Sequence, residues 1–276
     1  MYTSPMPPLD VQALVLRNAH LSADYNVLHL EAPAIAEASL PGQFVMIRTA
    51  EGTDPLLRRP FSVFEILRDA AGAPTGLSVL CKRIGPGTTR LYEAAAGDRL
   101  AVLGPLGKPF SVVSPPAEAW MVAGGVGLAP FATLTEALHA TGTPARLFYG
   151  GRSRADLFYL DWFQSRGVTL DLATEDGSLG AHGRVTAPLE AALRARAPGL
   201  QTTLYACGPE PMLKAVAGLA RSYGCRSELS TERIMGCGLG GCYSCVVRVR
   251  DGEGTPHFVR SCLNGPVFSG DDLVWE

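Results

Sequence analysis

Cys237, Cys242, Cys245 and Cys262 carry the most specific chemistry in this sequence. The first three stand in the run GCGLGGCYSC, and sixteen residues separate Cys245 from Cys262. Four residues lie between the first two and two between the next two, which is the plant-type ligand spacing for a 2Fe–2S cluster. Such a cluster carries single electrons and makes no bonds, so the rest of the chain has to supply a donor and an acceptor. Gly236, Gly238, Gly240 and Gly241 flank the first two cysteines and allow a tightly wound loop. Cys242 and Cys245 alone also form a CxxC, which suits a redox disulfide or half of a zinc site. A four-cysteine zinc site usually shows two such pairs, whereas Cys262 stands alone and none of the 5 histidines lies in the loop. The strands VVRVR (246–250) and HFVRS (257–261) flank the turn-like DGEGTP. Pairing them about that turn predicts Cys245 opposite Cys262.

Two other regions have residues suited to phosphates and flat rings. Arg58-Arg59-Pro60-Phe61-Ser62 opens a strand, and an arginine fork suits a diphosphate. Leu80-Cys81-Lys82-Arg83-Ile84-Gly85-Pro86-Gly87-Thr88-Thr89 is a glycine-rich turn with hydroxyls, equally readable as a hairpin turn or a phosphate cradle. Gly124-Gly125-Val126-Gly127-Leu128-Ala129-Pro130 sits between a strand and a helix, where glycines let backbone close on a diphosphate. The plainer reading is a tight strand–helix turn. Cys207-Gly208-Pro209-Glu210 ends a later strand, at the carboxyl edge where parallel sheets bind ligands. Cys207 alone would otherwise read as a small core residue. Arg152 and Arg154 suit a 2′-phosphate or, equally, a solvated helix start.

These motifs need three kinds of scaffold. Residues 1–115 hold six β-favouring runs punctuated by Pro, Gly and Asp, which predicts a small antiparallel β-barrel. Residues 116–223 alternate strands with helices, including a helix over DLFYLDWFQSR, and predict an α/β parallel sheet. Residues 224–276 hold the cysteines and short β runs. The expected fold class is thus multi-domain: barrel, α/β nucleotide domain and small cluster domain.

Composition narrows the partners. The formal net charge is −2 with no basic run, which speaks against nucleic acid and acidic membranes. The start MYTSPMPPLD lacks a basic stretch and an apolar core, so no secretory signal is expected. The uncharged stretch Ala119–Thr135 is short for a membrane span and is broken by glycines and Pro130. A cytoplasmic protein is expected, with its cysteines as ligands rather than disulfides.

RRPFS and the GPGT turn together resemble the ferredoxin–NAD(P)+ reductase family, whose flavin motif reads Arg-x-Tyr/Phe-Ser. The resemblance implies FAD, with Arg59 on its diphosphate and Phe61 and Ser62 along the ring. It also implies contacts from Pro60, Leu80, Cys81, Lys82, Gly87 and Thr88. Gly-Gly-x-Gly-x-x-Pro and Cys-Gly-Pro occur in that family in the same order. They place Gly124, Gly125, Gly127, Pro130, Gly208 and Pro209 at NAD, with NADP left open, and Cys207 beside the nicotinamide. The tail ERIMGCGLGGCYSCVVRV…VRSCLNGPVF is similar to the electron-transfer subunit of NAD-dependent (class 1B) dihydroorotate dehydrogenase. That resemblance spans essentially the whole chain and implies an NAD-linked iron–sulfur flavoprotein oxidoreductase of pyrimidine biosynthesis. It implies an FMN-containing catalytic partner, in a heterotetramer of two of each. Phe61 replaces the commoner tyrosine, and Cys81-Lys82 replaces the usual aromatic and arginine. Electron counting then puts FAD between nicotinamide, which exchanges hydride, and the cluster.

Three other functions compete with this one. A free-standing oxygenase reductase would end in a full ferredoxin with a longer gap before the last cysteine. A subunit of a hydrogenase, sulfur reductase or bifurcating complex is hard to separate by sequence. A zinc-stabilised interaction module leaves the flavin and nicotinamide motifs without a use.

Overall fold

The protein is described from a computed structural model, which covers residues 7–50, 52 and 54–275. Residues 1–6 of the N-terminal stretch read above lie outside it. The first sheet is antiparallel throughout, with strands β1 (Leu9–His20), β2 (Tyr25–Glu31), β3 (Phe44–Ile47), β4 (Arg59–Ser62), β5 (Ile66–Arg68), β6 (Pro74–Lys82) and β7 (Arg99–Leu106). Their order is β4-β3-β7-β1-β2-β6-β5. Six runs were expected and seven strands form, because FSVFEI divides between β4 and β5. These two are consecutive in the chain yet stand at opposite edges. The bend between them bonds both ways: Val63 N–H to Gln43 O (3.0 Å) and Phe64 N–H to Ser78 O (2.9 Å). That bend curls the sheet into a half-barrel around Val15, Leu28, Leu30, Ile47, Val79 and Val102, all nearly inaccessible to solvent. Two helices, α1 (Pro33–Ala38) and α2 (Pro86–Glu93), fill sequence read only as turns. Pro86 at the start of α2 removes a donor that would have had no partner there.

The second sheet is parallel across β8 (Glu118–Gly124), β9 (Ala145–Gly151), β10 (Thr169–Thr174), β11 (Ala181–His182), β12 (Thr202–Cys207) and β13 (Arg226–Ser230). β12 is buried along its whole length, as a central strand covered on both faces must be. Helices α3 (Pro130–Ala140), α4 (Leu160–Gln164), α5 (Thr186–Ala195) and α6 (Glu210–Ser222) lie between the strands. α6 buries Leu213, Val216, Ala217 and Ala220, a stripe at helical spacing. β13 joins this sheet three residues past the expected boundary at 223.

The helix expected over DLFYLDWFQSR is broken. A 3₁₀ turn covers Arg154–Asp156, Tyr159 takes φ +60, and α4 is only 5 residues long. The aromatic residues leave the helix to bridge to the barrel. Phe158 meets the Tyr25 ring at 4.8 Å, and Tyr159 meets the Phe64 ring edge-on at 4.7 Å.

The tail forms a hairpin, β14 (Val246–Arg250) and β15 (Pro256–Arg260), then a short helix α7 (Ser261–Asn264) and strand β16 (Val267–Ser269). β14 alternates, with Val247 and Val249 packed into the second sheet's helical core beside Phe268 and Leu273. β16 pairs antiparallel with β13 and fastens the tail to the sheet edge.

Candidate functional site

The sheet order β11-β10-β9-β8-β12-β13-β16 reverses direction between β8 and β12. At such a switch point the loops leaving two neighbouring strands part and open a crevice at their carboxyl ends. Ala123 pairs with Cys207, so the GGVG and CGP turns emerge side by side. A cavity of about 440 Å³ opens there, lined by Gly124, Gly125 and Pro209 together with Arg152 and Glu175 from the ends of β9 and β10. Gly127 is required by close approach: a Cβ there would collide with the Cys207 carbonyl oxygen and stand 2.8 Å from the Gly208 nitrogen. Pro130 opens α3 behind this turn.

Cys207 itself does not line the cavity. It is 5 % exposed, and burial followed by the Glu232 carboxylate pushes its thiol up to about 12. It is therefore a neutral group beneath the turn. Glu232, which the sequence reading missed, lines the cavity.

The barrel contributes to the same cavity. Lys82 lines it with Nζ 4.8 Å over the Tyr25 ring. The Tyr25 hydroxyl donates to Asp156 Oδ1 at 2.8 Å, tying the barrel to the nucleotide sheet. No local sequence signal pairs residues 131 positions apart. Tyr25→Phe should lower the melting temperature of the cofactor-loaded protein by about 3–10 °C, since a hydrogen bond to a charged acceptor contributes about 1.5–3 kcal/mol. Scanning calorimetry measures this, and an unchanged melting temperature would show that the bond does not hold the two sheets together.

On the barrel, β4 pairs with β3 through Phe44↔Ser62, Val45↔Phe61 and Met46↔Pro60. Arg58 is engaged by Asp10 at 2.8 Å, while Arg59 lies against the first turn of α2. A Cβ on Gly87 would stand 3.1 Å from Thr49 Oγ1 and 3.5 Å from Arg59 Nε. Arginine, threonine and a helix N-terminus thus gather at one point, an arrangement that suits a diphosphate.

The β6 residues divide by face. Lys82 turns to the cavity, and Leu80 packs into the core that runs under both sheets. The contact expected from Cys81 is corrected: it is fully buried in the barrel core, and burial alone pushes its thiol well above the ordinary range. Strand alternation turns its side chain inward, into the barrel core.

Two of the four cysteines, Cys245 and Cys262, pack together at the end of the barrel. Their hairpin register is one residue off the expected one: Val246 pairs with Arg260, and Ser261 N–H bonds Cys245 O at 2.8 Å, so Ser261 stands opposite Cys245. In a continuing strand this offset would point Cys262 away. The chain instead turns into α7 at Ser261, and the helix returns the Cys262 thiol to Cys245.

Cys245 and Cys262 are each 2 % exposed and pack against Phe44, Met46, Leu103 and Leu106. Cys242 is exposed and Cys237 half-buried. Cys237 lies near Cys242, and Cys245 lies near Cys262. Among the described residues no three His, Cys, Asp or Glu side chains gather closely enough for a single metal ion. The spacing of these cysteines along the chain would suit a two-iron cluster.

Donors already face the sulfurs. Leu239 N–H reaches Cys237 Sγ at 3.3 Å. Ser244 Oγ lies 3.1 Å from Cys242 Sγ, and its hydrogen bonds push that thiol down to about 6. Burial raises Cys262. Gly238, at φ +72, needs its missing side chain, because a Cβ would press on Met46 Cγ at 2.7 Å. β3 therefore touches the cluster loop through Met46 and carries the flavin-motif strand β4 along its edge.

Residues 232–274 match the iron–sulfur cluster binding domain of dihydroorotate dehydrogenase B, and residues 121–218 match an oxidoreductase NAD-binding domain. The chain is 39% identical over 250 residues to the dihydroorotate dehydrogenase B (NAD(+)) electron transfer subunit of Geobacillus thermodenitrificans, covering 90% of this chain and 91% of that protein. The subunit of the same name from Desulforamulus reducens is 34% identical, covering 90% and 92%. A solved structure of the NADH-dependent reduced ferredoxin–NADP oxidoreductase, described in terms of flavin-based electron bifurcation, superposes with a TM-score of 0.81 at 28% identity, covering 96% of this chain and 90% of that one. No helix among the described residues is long and apolar enough to cross a membrane.

Proposed function

Since the chain belongs to the family of electron-transfer subunits of dihydroorotate dehydrogenase B, we propose that it carries electrons between a dihydroorotate-oxidising catalytic partner and NAD+. When bound, FAD exchanges hydride with the nicotinamide and single electrons with a 2Fe–2S cluster, so the three form a relay. The observation that carries this reading is the shared strand β3, which holds β4 with Arg59–Ser62 on its edge and Met46 against the cluster loop.

The chain's own residues divide the work. Arg59 and the first turn of α2 hold the flavin diphosphate, and Pro60, Phe61 and Ser62 shape the ring's edge. Leu80 backs the site from the core, and Lys82 reaches it from the cavity side. Gly124, Gly125, Gly127, Pro130, Gly208 and Pro209 form the nicotinamide-side turns. Cys207 acts as a positioning residue from below. Cys237, Cys242, Cys245 and Cys262 hold the cluster, the buried pair facing the barrel and the other pair facing outward. The outward pair is where an FMN-bearing partner would dock, in an assembly of two of each chain in the cytoplasm. We divide the chain at about residues 115 and 230, so that β13 stays with its sheet. The cavity sets Arg152 and Arg184 beside Glu175, so its charge does not choose between the two nucleotides, and the NAD(+)-linked relatives support NAD.

Anaerobic NADH should bleach the flavin bands of the purified chain and raise a rhombic one-electron EPR signal. A colourless sample containing zinc would overturn the reading. A subunit of a bifurcating complex is the second reading, favoured by the 0.81 TM-score and weakened by the lower identity of 28%.

A further inference from the structure

Thr49 follows β3 and is 5 % exposed, and its Oγ1 is buried with no hydrogen-bond partner. A hydroxyl withheld from water and left unpaired is unusual and calls for a missing partner. The groups around it say what that partner is. Arg59 Nε and the first turn of α2 face the same point, and Thr49 Oγ1 is 3.1 Å from where a Cβ on Gly87 would stand. A guanidinium and a helix N-terminus both attract an anion. Thr88, which the resemblance named as a contact, has its hydroxyl committed elsewhere. It accepts from Ile84 N–H at 2.9 Å and Gly85 N–H at 3.1 Å, and donates to Gly85 O at 3.0 Å. Its two lone pairs and its proton are all used in closing the turn.

We propose that Thr49 is a direct ligand of the flavin diphosphate, its hydroxyl donating to a phosphate oxygen held between Arg59 and the first turn of α2. This rests on the reading above that FAD occupies the barrel site. It adds a residue from the loop between β3 and β4 that the sequence reading did not single out.

The test uses the full chain, stripped of flavin and titrated calorimetrically with FAD and with riboflavin, which lacks the diphosphate. Thr49→Val keeps the shape and removes the hydroxyl. It should weaken FAD binding about ten-fold, equivalent to about 1.4 kcal/mol. Riboflavin affinity should not change, and Thr49→Ser should restore FAD binding. The flavin-free Thr49→Val protein should melt no lower than flavin-free wild type, since an unpaired buried hydroxyl has gone. Equal FAD affinity in wild type and Thr49→Val would overturn the proposal. So would an equal loss for FAD and riboflavin with a lower melting temperature, which would make Thr49 merely structural. Failure of the wild-type chain to bind FAD would instead overturn the underlying site, and Arg59→Ala, which should also weaken FAD, marks that difference.

Discussion

Replacing Cys262 with serine abolishes electron delivery to and from the partner while leaving NADH able to reduce the flavin. Cys262 is 2 % exposed and packs with Cys245 against the barrel end, so its loss would remove one of the four thiolates proposed to hold the cluster. Serine is close in size, and the chain beyond it stays fastened by β16 pairing with β13. The proposed diphosphate site at Arg59, Thr49 and Gly87 lies outside the residues packed on Cys262. The variant should therefore bind FAD normally and lose the rhombic EPR signal. Partner reduction should fall at least about 100-fold, as removing an obligatory one-electron carrier leaves only direct flavin-to-partner transfer. Stopped-flow reduction by NADH and EPR of the dithionite-reduced protein separate the two effects. Normal partner turnover in a variant without the signal would place the cluster off the path.

Gly127→Ala has the second large effect, on the opposite end of the relay. Its added Cβ would collide with the Cys207 carbonyl and approach the Gly208 nitrogen to 2.8 Å. These are backbone atoms in a buried strand end and cannot swing aside as a side chain does. One of the two turns that frame the cavity has to move, at a cost of about 1–3 kcal/mol. Because Gly124 and Pro209 line the cavity from those same turns, the expected result is a KM for NADH raised about ten-fold or more. The cluster EPR signal after dithionite should be unaltered, which shows that the damage is confined to the nucleotide end. An unchanged KM would mean that the GGVG and CGP turns do not position the nicotinamide.

Much of this was legible where chemistry is written in local spacing. The cysteine loop, RRPFS, GGVG and CGP each announce themselves within ten residues, and strand alternation with helices marks the parallel sheet. What escaped depends on distant partners or on which face a residue takes. Cys81 looked like a flavin contact because of its motif position, and only the barrel's curl turns it inward. Thr88 offered a hydroxyl by sequence, yet its own turn uses it, and Thr49 faces the site instead. Tyr25 and Asp156 meet only because aromatic residues after Ser153 leave their helix to reach the barrel. The hairpin about DGEGTP was expected with Cys245 opposite Cys262, and the register is one residue off. Helix α7 corrects the direction of Cys262, a step that strand arithmetic alone does not contain.

The most direct test is NAD+ reduction by the complex of this chain with its catalytic partner, loaded with FAD and cluster and given dihydroorotate. The relay predicts NADH formation that requires both chains and is lost with Cys262→Ser. No dihydroorotate-dependent NADH formation by the fully loaded complex would contradict it.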